Sequence, residues 1–202
     1  MKVRSGIKQY RSISTDIQTR SEETSEEKRI AAYFAIFNKE TELWPGAFEE
    51  VAPTAFGNIG DVRGLFNHDT GKVLGRTKSN TLTLQVDEKG LYGEIIVNEN
   101  DSEAVNLYER VKRGDIDQCS FGFEIVKEHE EWREDGSVKW TIEEVELFEV
   151  SIVAFPAYQD TIAEARQQQF KKISESRMAA KKQQLKERIK NGIKKISYRE
   201  KT

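Results

Sequence analysis

The chain has one cysteine, Cys119, so it can form neither an internal disulfide nor a multi-cysteine zinc site. Its only histidines are His68 and His129, which leaves few candidates for a base that titrates near neutrality. No stretch approaches the run of about 18 uncharged apolar residues needed to span a membrane. The first residues are polar and of mixed charge (Lys2, Arg4, Lys8, Arg11, Asp16), without the apolar run of a signal peptide. No internal repeat is present. These absences point to a soluble protein of intracellular type.

What is present is charge. Of 202 residues, 37% are hydrophobic and 33% charged, enough for one core under a strongly ionic surface. The net charge of −3 conceals a division. Residues 164–202 hold 13 Lys/Arg against 4 Asp/Glu, a net +9, so residues 1–163 carry a net −12. A basic tail on an acidic body suggests a tail with its own partner or its own fate.

Residues 1–27, rich in Ser, Thr, Glu and Arg without a sustained period, read as a flexible arm. Apolar residues on both faces of Arg29–Phe37 predict a strand buried on both sides. A long irregular segment with Pro45-Gly46 and Pro53 follows, with a short helix expected over Thr54–Asn58. Val62–Phe66 leads to Asn67-His68-Asp69. Strands are predicted at Val73–Arg76, Thr81–Val86 and Leu91–Val97. The spacing of Ala104, Val105, Leu107, Tyr108 and Val111 predicts a helix over Asp101–Lys112, capped by Asp101 or Ser102 and stopped by Gly114. Two long strands, Gln118–Lys127 and Val138–Ala154, flank a turn at Asp135-Gly136. From 164 onward the chain reads as a basic helix-forming tail with too few apolar residues to make a core.

His129 lies in Lys-Glu-His-Glu-Glu-Trp, a solvated stretch, whereas His68 follows an apolar strand. A histidine so placed is more often structural than catalytic when taken alone. Ser120, in Gln118-Cys119-Ser120-Phe121-Gly122-Phe123, needs a neighbouring base to become a nucleophile; otherwise it is an ordinary strand serine. Cys119 is a rival nucleophile, but strand alternation turns it to the opposite face. Glu149 is a charged residue in an apolar strand, costly to bury unless paired. It could orient an imidazole by accepting its second N–H, or pair with a lysine or arginine of the sheet. Glu146 is the alternative carboxylate. Nothing in the pattern calls for a cofactor or a metal.

The ordered set Ala32-Tyr33-Phe34-Ala35-Ile36-Phe37-Asn38, Pro45-Gly46-Ala47-Phe48, Leu65-Phe66-Asn67-His68-Asp69, Leu74-Gly75-Arg76, Asp87-Glu88-Lys89-Gly90-Leu91, Ser120-Phe121-Gly122-Phe123 and Leu147-Phe148-Glu149-Val150-Ser151-Ile152-Val153 with Pro156-Ala157 resembles the tailed-phage prohead maturation proteases over about residues 29–160. That family looks distantly related to the herpesvirus assemblin proteases. The resemblance implies an α+β chain, mostly β, built as a closed antiparallel β-barrel over residues 28–163. It implies a serine endopeptidase with Ser120 as nucleophile, His68 as base and Glu149 as third member. It places the protein in the host cytoplasm inside an assembling prohead. The expected partners are the major capsid protein with its scaffolding segment, or a separate scaffold protein, and the chain itself through autocleavage. A homodimer is expected by analogy, and a membrane or nucleic-acid partner is not. Assemblins carry an arginine pair after the third member, which Ala154-Phe155-Pro156 lacks; backbone N–H groups near Ile152–Ala154 or an arginine-bearing loop are the candidate oxyanion donors.

Two other readings compete. A capsid-assembly scaffold or interaction module would use the same residues structurally. A nucleic-acid-binding protein would act through the tail, though the acidic body and the scarcity of tail aromatics (Phe170, Tyr198) oppose it. A metal hydrolase would need companions that Asn67-His68-Asp69 lacks.

Overall fold

The apolar alternation resolves, in a computed structural model, into strands over most of the chain. The structure describes residues 7–14, 17–21 and 27–155, and, within 171–190, residues 171, 173, 175, 176 and 178–190. Among these, the strands in chain order are β1 (Gln9–Ser14), β2 (Gln18–Ser21), β3 (Lys28–Ile36), β4 (Thr41–Trp44), β5 (Ala47–Val51), β6 (Arg63–Phe66), β7 (Asp69–Arg76), β8 (Leu82–Val86), β9 (Gly90–Ile96), β10 (Gln118–Trp132) and β11 (Val138–Val153). Helix α1 (Ser102–Arg113) stands between β9 and β10, and the described residues of 171–190 are helical.

The described residues are thus mostly β with two helical segments, an α+β protein, and their strands form two hydrogen-bonded sheets, among which no closed barrel is found. One sheet runs β1-β10-β11-β5-β4, with β6 on β11 and β7 on β6; a second runs β2-β3-β9-β8. The first is mixed, because β5 and β6 both pair with β11 in parallel. The length of β11 explains this. Its sixteen residues accommodate two partners on one edge, β5 against Val138–Ile142 and β6 against Glu149–Ile152. A parallel bridge between Phe37 and Val51 links the two sheets.

The core lies between the sheets. Phe34, Phe121, Phe123, Ile30, Leu91, Ile95 and Ile152 are fully buried, each contributing about 1.5–3 kcal/mol of transfer free energy. Helix α1 adds Ala104, Leu107, Tyr108 and Val111 to this core. The Asp101 carboxylate caps the helix by accepting from the Glu103 and Ala104 N–H groups, and Gly114 at φ 85° ends it in the left-handed region.

Three expectations about chain order change. Residues 9–14 and 18–21, read as part of a flexible arm, are strands on β10 and β3. The segment read as irregular forms a hairpin, β4 and β5, around Pro45-Gly46. No helix forms at 54–58. There the Ala55 carbonyl accepts from the Val145 N–H at 3.1 Å, so the segment is bound to the sheet as a series of turns.

Candidate active site

A two-residue turn joins β6 to β7, with Phe66 and Asp69 paired across it and Asn67 and His68 at φ 53° and 61°. Positive φ at both central residues is the hairpin turn that matches strand twist, and asparagine is a favoured non-glycine residue for it. A histidine held there costs about 1–3 kcal/mol of backbone strain, so the surroundings must fix it. They do. The Asn67 N–H donates to the Ile152 carbonyl (2.9 Å), the Asn67 Oδ1 accepts from the Ala154 N–H (2.9 Å), and the His68 N–H donates to Ser151 Oγ (3.3 Å). The turn is thereby fastened to the end of β11.

Strand register places the remaining groups. Gly122 of β10 faces Tyr10 of β1 on one side and Glu149 of β11 on the other, and Ser120 faces Ser12 and Ser151 in the same way. Alternation sends Ser120, Gly122, Glu149 and Ser151 to one face of the sheet, while Cys119, Phe121, Val150 and Ile152 enter the core on the other. Gly122 is needed there: a Cβ would stand 2.8 Å from Glu149 Cγ and Oε1 and 2.9 Å from Tyr10 Cε1. The bare backbone lets both side chains lie across it.

On this face the His68 Nδ1–H donates to Glu149 Oε1, and Glu149 Oε2 accepts from Ser151 Oγ at 3.0 Å. The carboxylate is almost wholly buried, its side chain 10% exposed against 18% for that of His68. Because an acceptor-only carboxylate faces Nδ1, the proton of a neutral imidazole sits on Nδ1, and Nε2 keeps its lone pair. His68 Nε2 and Ser120 Oγ are both buried, and neither has a hydrogen-bond partner among the described residues. They are therefore not hydrogen-bonded to each other, as is common for catalytic pairs before substrate arrives. The Tyr10 ring meets the His68 ring edge-on at a centroid distance of 4.6 Å. Burial, then the negative charge of Glu149, raises the Tyr10 phenol above its ordinary pKa, so it stays neutral beside the pair.

Of the candidates from sequence, His68 and Glu149 are in contact, and Ser120 lies on the same face. Glu146 is exposed and does not reach His68, and His129 is exposed in the outer part of β10. Cys119 is fully buried in the core, where burial and then Asp117 push its thiol far above its ordinary pKa. That removes it as a thiolate nucleophile. The Ala154 N–H, one of the candidate oxyanion donors, is committed to Asn67. Among the described residues no cluster of three or more His, Cys, Asp or Glu is placed to hold a metal ion. A groove of about 900 Å³ between residues 52–61 and 143–148 is lined by none of His68, Ser120 and Glu149. Sequence reasoning missed Tyr10, which lay in the segment read as an arm, and gave no role to Ser151 or Asn67.

A β-rich chain with a serine, a histidine and a buried carboxylate on one face of a sheet has the parts of a serine hydrolase. The sequence matches the family described as caudovirus prohead serine protease over residues 15–176, and the chain belongs to that family. Its class is therefore that of the serine proteases of phage capsid maturation. Comparisons with curated proteins and with solved structures give no match.

Proposed function

We propose that the chain is a serine endopeptidase in which Ser120 is the nucleophile, His68 the general base and Glu149 the residue that orients it. One observation carries this reading: the Glu149 carboxylate fixes Nδ1, and Nε2 and Ser120 Oγ are buried polar atoms without a hydrogen-bond partner among the described residues. Ser120 Oγ attacks the scissile carbonyl as Nε2 takes its proton. The imidazolium, stabilised by Glu149, returns that proton to the leaving amine. Water then hydrolyses the acyl-enzyme with the same base. The oxygen with no partner is the better nucleophile candidate of the two facing serines, because the Ser151 hydroxyl is committed to a carboxylate.

The substrates are the scaffolding segment of the major capsid protein, or a separate scaffold, and the chain itself, cleaved in the host cytoplasm within the assembling prohead. Family membership supports this setting. The basic tail serves as a docking or packaging segment that autocleavage removes. Its helical residues 178–190 are exposed, and Lys181 Nζ approaches the Glu134 carbonyl at 3.5 Å. A homodimer is expected by the same analogy.

Co-expression with the cognate capsid protein tests the proposal by intact mass over time. Truncation of both proteins, absent with Ser120→Ala, is the expected result. Cleavage that persists in Ser120→Ala would remove Ser120 from the mechanism. A chain lacking residues 164–202 should be depleted from proheads; its efficient incorporation would end the docking role.

A further inference from the structure

We infer that Ser151 is a positioning residue: its hydroxyl is the joint that sets the orienting carboxylate and the base relative to one another. This rests on the reading of Ser120, His68 and Glu149 given above. Ser151 Oγ makes two contacts at once, donating to Glu149 Oε2 at 3.0 Å and accepting from the His68 N–H at 3.3 Å. A hydroxyl has one proton and two lone pairs, so these contacts fix the direction of its rotor. The proton goes to the carboxylate and a lone pair receives the backbone N–H.

The consequences are geometric. Glu149 has one oxygen on the imidazole and the other on Ser151, so the carboxylate cannot rotate about its final bond without breaking one contact. His68, held at positive φ, has its own N–H anchored to the same oxygen. A single atom thus locates both the side chain that orients the imidazole and the backbone that carries it. Ser151 is completely buried and sits directly across the β10–β11 pair from Ser120. The nucleophile, the acid and the backbone of the base are therefore referred to the same strand position. A serine two residues beyond the acid achieves this because alternation returns it to the same face. The hydroxyl does not touch the reacting atoms; it acts through Glu149 and His68.

The test uses the full chain and a fluorophosphonate, which phosphonylates an activated serine hydroxyl with loss of fluoride. The saturating labelling rate and the concentration for half-saturation are measured separately by intact mass. Ser151→Ala should lower the saturating rate by about 10–100-fold, the scale of losing one hydrogen bond to a charged group, with half-saturation unchanged. Ser151→Cys, which keeps nearly the same volume but offers only a weak donor, should be slow as well, so a packing defect is separated from a lost hydrogen bond. In a Glu149→Gln background, Ser151→Ala should add little, because the two act as one unit.

A Ser151→Ala protein that is folded and labels at the wild-type rate overturns the proposal while leaving the Ser120 reading intact. So does full additivity with Glu149→Gln, which would mean that Ser151 does not act through the carboxylate. A wild-type chain whose labelling is the same in Ser120→Ala overturns the reading itself, and this proposal with it.

Discussion

The two ends of the β10–β11 hairpin are built from the same residue types and behave differently. At the inner end, Gln118–Ile125 and Val145–Val153 are mostly buried on both faces, and the buried acid there, Glu149, meets a histidine and a serine hydroxyl. At the outer end, Val126–Glu131 is largely exposed, His129 faces water, and Glu143 pairs with Lys127 at 2.8 Å between side chains 31% and 68% exposed. Exposed pairs of that kind contribute little because water competes for each ion. A buried carboxylate has no such alternative and must keep its partners. Two histidines and several glutamates thus divide by burial: the solvated ones keep the hairpin soluble, and the buried one holds an imidazole in a single tautomer.

Substitutions at matched positions can break this contrast. Glu149→Ala should lower Ser120-dependent cleavage by about 10³–10⁴-fold, since the imidazole loses its orientation and tautomer. Glu143→Ala should leave both cleavage rate and melting temperature unchanged. Equal effects at the two sites, read by capsid-protein cleavage, would erase the distinction. Gly122→Val is next, because its side chain would drive Glu149 and Tyr10 off the bare backbone. Activity should fall by about 100-fold, with a stability loss of about 1–3 kcal/mol from overpacking, seen as a lower denaturant midpoint. Cys119→Ala should cost about 1–2 kcal/mol through a small core cavity while cleavage continues at the wild-type rate; loss of cleavage would revive the thiol as nucleophile.

The smallest effect concerns pH. Hydrogen bonding from Arg76, 2.7 Å at its Nε contact, holds the Asp61 carboxyl below its usual range. A depressed folded-state value means that the pair's stability is present above the ordinary aspartate value and is lost as pH falls through the lowered one. Asp61→Asn should therefore lower the melting temperature slightly at neutral pH and converge with wild type as the pH falls, which flattens the acid limb of the profile. A difference that appears only in acid, with the neutral region unchanged, would contradict this sign.

Much of the fold could be read from the chain because its strands and helix obey simple periods. Helix α1 has Asp101 at its start and Gly114 at its end, as its spacing and caps predict. The long strands begin at Gln118 and Val138 as expected, and their outer continuation to Trp132 was hidden by a run of charges that faces water on both sides. What was not legible was long-range. The pairing of β5 and β6 in parallel with one edge of β11 depends on a connection that residues 52–62 make in space, and local pattern does not encode it. Tyr10 and β1 lay in a polar segment whose strand character comes from pairing with β10 rather than from its own alternation. At the site, the residue types of His68, Ser120 and Glu149 were visible, and Glu149 stood out as a charge in an apolar strand. The bridging role of Ser151 was invisible, because it depends on where the His68 backbone lies.

The most direct test of the central claim is to map a fluorophosphonate adduct on the intact chain by peptide mass spectrometry, in wild type and in His68→Ala. The account predicts one phosphonylated residue, Ser120, and its disappearance when His68 is replaced. An adduct on Ser151 or elsewhere, or one on Ser120 that forms equally fast without His68, would contradict it.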